Sequence, residues 1–175
     1  VFAAALLWKK LPVNSTDPKS LETAKQDIAH IKNKILTFTS EPKPLLQRDE
    51  IYIAHMFSTD GAQASADNAK FRYFIPKEGA ILWTDNFAIP TSSHQVDEAY
   101  RFIDFFLEPE HALELALNNH VATTNKTARA RLPKSATDNP NFYPQKELLD
   151  RLQMMDDLGS ELSKLNQMWT ELKSY

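Results

Sequence analysis

The sequence lacks cysteine altogether and contains only three glycines among 175 residues. Without cysteine there are no disulfides, no thiolate nucleophile and no cysteine-ligated metal. Three glycines are too few for a glycine-rich phosphate loop, and neither GxGxxG nor GxxxxGK occurs. No apolar run approaches the roughly 20 residues of a membrane-spanning helix. Twenty basic against 23 acidic residues leave a net charge of −3, which argues against nucleic-acid binding through a broad basic face.

The rest of the composition is that of a folded globular chain. Hydrophobic residues make up 42% and charged residues 25%, which excludes a disordered or fibrous protein. The length suits one domain of ordinary size. Extended apolar stretches between helical periodicities indicate the α/β class, helix-rich with few strands. The predicted strands are 50–57, 71–75 and 80–89, and the predicted helices are 18–36, 62–69, 93–107, 110–118, 145–158 and 160–173.

The clearest helix start lies at Asp17-Pro18. Asp17 can cap the helix, and Pro18 fits its first position because an N–H there would have no helical partner. Apolar residues then recur three or four positions apart and form one face of a helix; they are Leu21, Ala24, Ile28, Ile31 and Ile35.

The N-terminal segment Val1–Trp8 reads VFAAALLW, with no capping residue before it. It has no basic region ahead of its apolar residues, so it does not look like a secretory signal. We therefore expect a chain that begins inside a helix or just at its start, as the C-terminal part of a longer protein would.

Motifs for catalysis and metal binding are missing. The five histidines do not stand at HxxxH or HExxH spacing, so no zinc site is indicated. Asp156 and Asp157 are neighbours on a predicted helix, where successive side chains diverge by about 100°, so they do not form an acid/base pair. No GxSxG nucleophile motif occurs. We expect no enzyme, no metal and no cofactor; a hydrolase that uses Asp85 with His55 is the least supported alternative.

Trp83 and Asp85 are the most informative pair of side chains. In a strand, residues two apart lie on one face, so an indole would stand beside a carboxylate. Such a pair can hold an organic ammonium, because the ring face attracts the cation and the carboxylate supplies a charge-assisted hydrogen bond. The alternative from spacing alone is a core tryptophan with an aspartate that caps a turn.

Two stretches resemble a known family. The sequences IPKEGAILWTDNFAIP, residues 75–90, and DEAYRFIDFFLEPEHALELA, residues 97–116, resemble periplasmic spermidine/putrescine-binding proteins. These are the substrate receptors of polyamine ABC transporters. Shorter matches to the family's second half and tail are Val1-Phe2, 14–18, Tyr143-Pro144 and 157–159.

The resemblance implies a fragment of a two-lobed periplasmic binding protein (type II-like), whose lobes close on the ligand. Residues 1–79 would form part of the second lobe, 80–140 would cross into the first lobe, and 141–175 would return as C-terminal helices. Most of the first lobe would lie upstream. The implied location is the periplasm, and the implied partners are a polyamine ligand and an inner-membrane ABC permease.

The resemblance also implies four ligand-binding residues. Trp83 and Asp85 fall on a tryptophan and an aspartate that line the family's polyamine slot. Phe57 falls where the family commonly has tryptophan, and phenylalanine is a weaker cation partner. Met155 falls where spermidine receptors carry glutamine, so an amide hydrogen bond is lost at that end.

Two other functions stay open. The same scaffold could serve another cationic or small organic solute, as Phe57 and Met155 would permit. A helical protein-interaction module would use the face of residues 145–172. A truncated chain should also expose apolar surface where its missing lobe packs, so we expect self-association or misfolding.

Overall fold

The computed structural model describes residues 1–174, and the chain forms two compact units. The first unit combines Val1–Thr39 and Ile75–Trp83 with the chain from Lys146 onward; the second combines Ser40–Phe74 with Thr84–Gln145. The lobe boundaries expected from the resemblance stay a prediction. In chain order the elements are α1 (Phe2–Trp8), α2 (Pro18–Ile31), α3 (Lys43–Gln47), α4 (Ser58–Asp67), β1 (Ala80–Leu82), α5 (Val96–Leu107), α6 (Pro109–Asn119), α7 (Lys126–Arg131), α8 (Lys134–Thr137), α9 (Lys146–Leu149), β2 (Leu152–Met154) and α10 (Leu162–Ser174).

The core of the first unit is formed by helices α1, α2 and α10. Asp17 caps α2 as predicted, because its Oδ2 accepts from the Ser20 backbone N–H at 2.8 Å. Trp169 packs edge-on against Phe38, with ring centroids 4.8 Å apart. Burial of each large apolar side chain contributes about 1.5–3 kcal/mol. The buried cluster consists of Phe2, Leu6, Leu21, Ala24, Ile28 and Leu172.

The second unit contains helices α3 to α8 and long irregular segments. The Asn125 side chain accepts from the Ala128 backbone N–H at 3.0 Å and so caps α7, while its Nδ2 donates to the Leu107 carbonyl at 2.8 Å. Asn141 Nδ2 donates to the Tyr73 carbonyl at 3.0 Å. These side-chain bonds hold irregular backbone in place where regular structure is missing.

Helix α5 presents aromatic side chains that its own unit does not bury. No residue of α5 is buried. Phe102 and Phe106 contact each other and Phe87, but Phe102 is still 56% exposed. Phe105 stacks on His111 of α6 with centroids 3.7 Å apart. The second unit therefore carries an accessible aromatic surface on α5.

Several assignments made from the sequence are wrong. Residues 50–57 and 71–75 form no strand, and the third extended stretch contributes only β1. A strand needs a partner, and within residues 1–174 no strand pairs with the apolar run at 50–57, where Tyr52 is 95% exposed. The predicted helix 145–158 is replaced by α9 and β2. The interaction face expected over 145–172 therefore does not exist as one continuous helical surface.

Candidate functional site

The candidate site of the first unit lies at the carboxyl edge of its two-stranded sheet. β1 and β2 pair in parallel, with Ala80 opposite Leu152 and Leu82 opposite Met154. Trp83 and Met155 follow this last pair, so both residues leave the sheet at the same edge. Ligands of open parallel α/β sheets bind outside the carboxyl ends of the strands. This edge is therefore where a ligand contact is expected.

The strand pairing depends on a close backbone approach at Gly79. Its φ of +110° is one that residues with a side chain rarely adopt. A Cβ at this position would lie 2.2 Å from the carbonyl oxygen of Arg151. Arg151 Nη1 donates to the Lys77 carbonyl at 3.2 Å. The turn before β1 is thus held against the residue before β2. This contact sets the register that brings Trp83 level with Met155.

Trp83 and Met155 are both accessible. Trp83 is 60% exposed and Met155 is 42% exposed, so the structure excludes a core position for Trp83. An indole face attracts a cation by about 0.5–1 kcal/mol when exposed and by about 2 kcal/mol when desolvated. The thioether of Met155 is polarizable and apolar, and it accepts hydrogen bonds only weakly. Together they can cover methylene groups, but they offer no negative charge.

Asp85 and Phe57 belong to the second unit. Asp85 is exposed and lies in the irregular stretch after β1, beside Asn86, whose side-chain amide donates to the Thr84 carbonyl at 3.1 Å. β1 ends at Leu82, so Trp83 and Asp85 both lie beyond the strand in which the sequence placed them. Phe57 immediately precedes α4 and is 63% exposed. The ligand-binding roles of all four residues stay predictions.

A hydrogen-bonded pair at the sheet edge, Asn14 with Asp156, was missed by the sequence analysis. Asn14 Nδ2 donates to the Met154 carbonyl at 2.9 Å and to Asp156 Oδ2 at 2.8 Å. In return the Asp156 backbone N–H donates to Asn14 Oδ1 at 3.0 Å. The two residues are 142 positions apart, so no local motif indicates the pair. The segment between α1 and α2 thereby holds β2 and the chain that follows it.

Two cavities lie away from the four predicted residues. A cavity of about 280 Å³ in the second unit is lined by residues of α6, α8 and the following loop, among them His120 and Tyr143. One of about 300 Å³ in the first unit includes Lys32 and Phe38 in its lining. Neither cavity includes Trp83, Asp85, Phe57 or Met155.

Two kinds of feature are absent from the part of the chain that the structure describes. Within residues 1–174, no group of three or more His, Asp or Glu side chains is placed to hold a metal ion. Over the same residues, no helix combines the length and apolar character that crossing a membrane requires.

Comparison with known proteins finds relatives along the whole chain. Spermidine/putrescine-binding periplasmic protein 1 of Haemophilus influenzae is 29% identical over 175 residues, which cover 99% of this chain and 49% of that protein. A putrescine/cadaverine-binding protein of Pseudomonas aeruginosa is 33% identical over 181 residues, covering 99% of this chain and 51% of that protein. The chain thus spans about half the length of the curated relatives it matches.

Solved structures share the fold. A protein from Listeria monocytogenes superposes with a TM-score of 0.91 at 32% identity, covering 99% of this chain and 54% of that one. The spermidine/putrescine ABC transporter substrate-binding protein PotD of Streptococcus pneumoniae superposes with a TM-score of 0.86 at 29% identity. The match covers 100% of this chain and 55% of that one. These matches confirm the expected fold class, that of a periplasmic binding protein, helix-rich with few strands.

The family described as bacterial extracellular solute-binding protein matches residues 1–144. Its members bind solutes and are not enzymes, in agreement with the function class expected from the sequence. Because the match covers well over half of these 175 residues, the chain belongs to the family of bacterial extracellular solute-binding proteins.

Proposed function

We propose that the natural gene product containing this chain is a periplasmic polyamine receptor. It would bind putrescine or spermidine and deliver it to an inner-membrane ABC permease. The observation that carries this proposal is the similarity over 99% of the chain to proteins named for binding spermidine, putrescine or cadaverine.

The chemistry of the predicted residues suits a polyamine. Its amines have lysine-like pKa values of about 10, so they are charged near pH 7 and bring a shell of water that the protein must replace. Asp85 would bind an ammonium through a charge-assisted hydrogen bond, which offsets the lost hydration. Trp83 and Phe57 would cover the methylene groups and attract the adjacent charge through their ring faces.

A calorimetric titration of the natural gene product with putrescine and spermidine tests this function. Asp85→Ala should weaken binding about 10- to 150-fold, because a hydrogen bond to a charged group contributes about 1.5–3 kcal/mol. Asp138→Ala is the matched control, since it removes another exposed carboxylate of the second unit. A wild-type protein that binds neither polyamine would refute the function. Equal affinity in Asp85→Ala would refute the site assignment alone.

A second candidate is a receptor of the same fold for another cationic or small organic solute. Phe57 and Met155 favour it, because both differ from the residues that spermidine receptors carry at these positions. A thermal-shift panel of amines, amino acids and sugars separates the two candidates, since only a true ligand stabilises the folded protein by mass action.

We also propose that these 175 residues on their own self-associate through the aromatic surface of α5. Exposed apolar patches of this kind usually mark contact surfaces. Light scattering after gel filtration should show a dimer or larger species. Phe102→Ser should shift that species toward monomer, and a monomeric wild-type chain would contradict the proposal.

A further inference from the structure

Asp156 places a carboxylate at the edge where Trp83 and Met155 leave the sheet. It is the second residue after β2 and is exposed. Its backbone N–H and its Oδ2 both bond to Asn14, at 3.0 and 2.8 Å. Main chain and side chain of Asp156 are therefore fixed by a single partner.

The bond to Asn14 leaves the charge of Asp156 available. An ionised carboxylate has about four acceptor sites, and Asn14 Nδ2 takes one of them. Asn14 is neutral, and both hydrogens of its amide are already used, for Asp156 Oδ2 and the Met154 carbonyl. Asn14 therefore orients the carboxylate without neutralising it.

Met155, the residue before Asp156, explains why a negative charge is needed at this position. Met155 offers a bound polyamine an apolar surface but no anion, and a terminal ammonium next to it would lose its hydration without compensation. A carboxylate one residue further along, already held in one orientation, supplies that compensation with little loss of side-chain freedom on binding.

We infer that Asp156 is a specificity-determining residue that binds a terminal ammonium of the polyamine, and that Asn14 is its positioning residue. The inference rests on the proposed function. It assigns the amine-recognising group at the Met155 end of the ligand to a carboxylate rather than to an amide. A ligand with an ammonium at that end is accordingly favoured over one that ends in a neutral polar group.

Asp156→Asn isolates the charge, because its amide oxygen can still accept from Asn14 Nδ2. In calorimetric titrations of the natural gene product, it should weaken binding of putrescine and spermidine at least tenfold, and added salt should weaken the variant's binding less than that of the wild type. Asp156→Glu, which keeps the charge, should recover part of the loss. Asp157→Asn is the matched control: it makes the same charge change one residue away and should stay within twofold.

Thermal unfolding of each variant shows that it is folded before titration. A wild type that binds polyamine together with an Asp156→Asn variant of equal affinity would overturn the inference and leave the proposed function standing. An Asp156→Glu variant no better than Asp156→Asn would also overturn it, even if Asp156→Asn itself proved unstable. A wild type that binds no polyamine would overturn both the function and this inference.

Discussion

Replacing Gly79 with alanine tests the contact that aligns the two strands of the first unit. At a φ of +110° an alanine is strained, and its Cβ would lie 2.2 Å from the Arg151 carbonyl oxygen and 3.2 Å from the carbonyl carbon. The neighbour is main chain, so it cannot move aside as a flexible side chain could. The turn must shift away from Arg151, and the first register pair, Ala80 with Leu152, moves with it.

The cost has two parts. A non-glycine residue in a sparsely populated backbone region costs about 1–3 kcal/mol. Forcing an extra carbon into a packed contact adds about 1–3 kcal/mol. The first unit should therefore lose about 2–6 kcal/mol of unfolding free energy, which lowers the unfolding midpoint of a unit of its size by about 8 °C or more.

Tryptophan fluorescence measures the loss of unfolding free energy in the first unit. Trp8, Trp83 and Trp169 are all the tryptophans of the chain, and all three belong to the first unit. Urea and thermal unfolding followed by tryptophan emission therefore report on that unit, without requiring the two units to unfold together.

Gly159→Ala is the matched control in the same unit. Gly159 also has a positive φ, +52°, but a Cβ there would meet nothing within 4 Å. The Gly159→Ala variant therefore keeps the backbone cost of about 1–2 kcal/mol, but it lacks the cost of a steric clash with a neighbour. If Gly79→Ala lowers the midpoint no more than Gly159→Ala does, the close approach to Arg151 is refuted, and with it the reason given for the strand register.

Three further predictions concern the second unit. Gly61→Ala should cost about 1–3 kcal/mol in urea unfolding followed by circular dichroism, because its Cβ would lie 2.2 Å from Tyr73 Cδ2; a Tyr73→Ala background should remove that cost. Neighbouring protein atoms partly desolvate the imidazole of the exposed residue His55 and lower its pKa from 6.5, so the unfolded chain takes up this proton first as the pH falls. The free energy of unfolding should then be at its full value above pH 6.5 and fall as the pH drops below it. His55→Gln should make the thermal unfolding midpoint, measured from pH 7.5 to 5, depend less on pH. Phe57→Trp should tighten polyamine binding about two- to tenfold in calorimetry, since indole is the stronger cation partner, and weaker binding would count against a ligand contact at Phe57.

Helices with local start and stop signals could be predicted from the sequence. Asp17 and Pro18 mark the start of α2, and the cap forms as expected. Glu108-Pro109 ends α5 and begins α6, because the residue before proline avoids helical backbone. The helix predicted for 110–118 ends one residue later than expected: α6 extends to Asn119, and His120 then adopts the left-handed conformation. All the interactions that decide these ends lie within a few residues.

The strands could not be predicted, because their stability comes from a distant partner. β2 lies in a segment whose leucines recur at spacings that suit a helix, and nothing local opposes that pattern. Only pairing with β1 makes Leu152–Met154 extended. Conversely, the apolar segment at 50–57 has the composition of a strand, but among the residues that the structure describes no neighbouring strand completes its hydrogen bonds.

The residues of the candidate site differ in the same way: some could be predicted from the local sequence, and others depend on distant contacts. Trp83 could be nominated from the sequence because an indole beside an acid has recognisable chemistry and the family resemblance supports it. Asn14 and Asp156 are ordinary residue types, and their importance arises only from reciprocal bonds across 142 positions. The sequence-based rejection of Asp156-Asp157 assumed a helix that is not formed. In the structure the two acids have different partners, Asn14 for Asp156 and the Gly159 backbone N–H, at 2.8 Å, for Asp157. Only Asp156 is thereby tied to the sheet edge, which is why these two adjacent carboxylates should respond so differently to the same substitution.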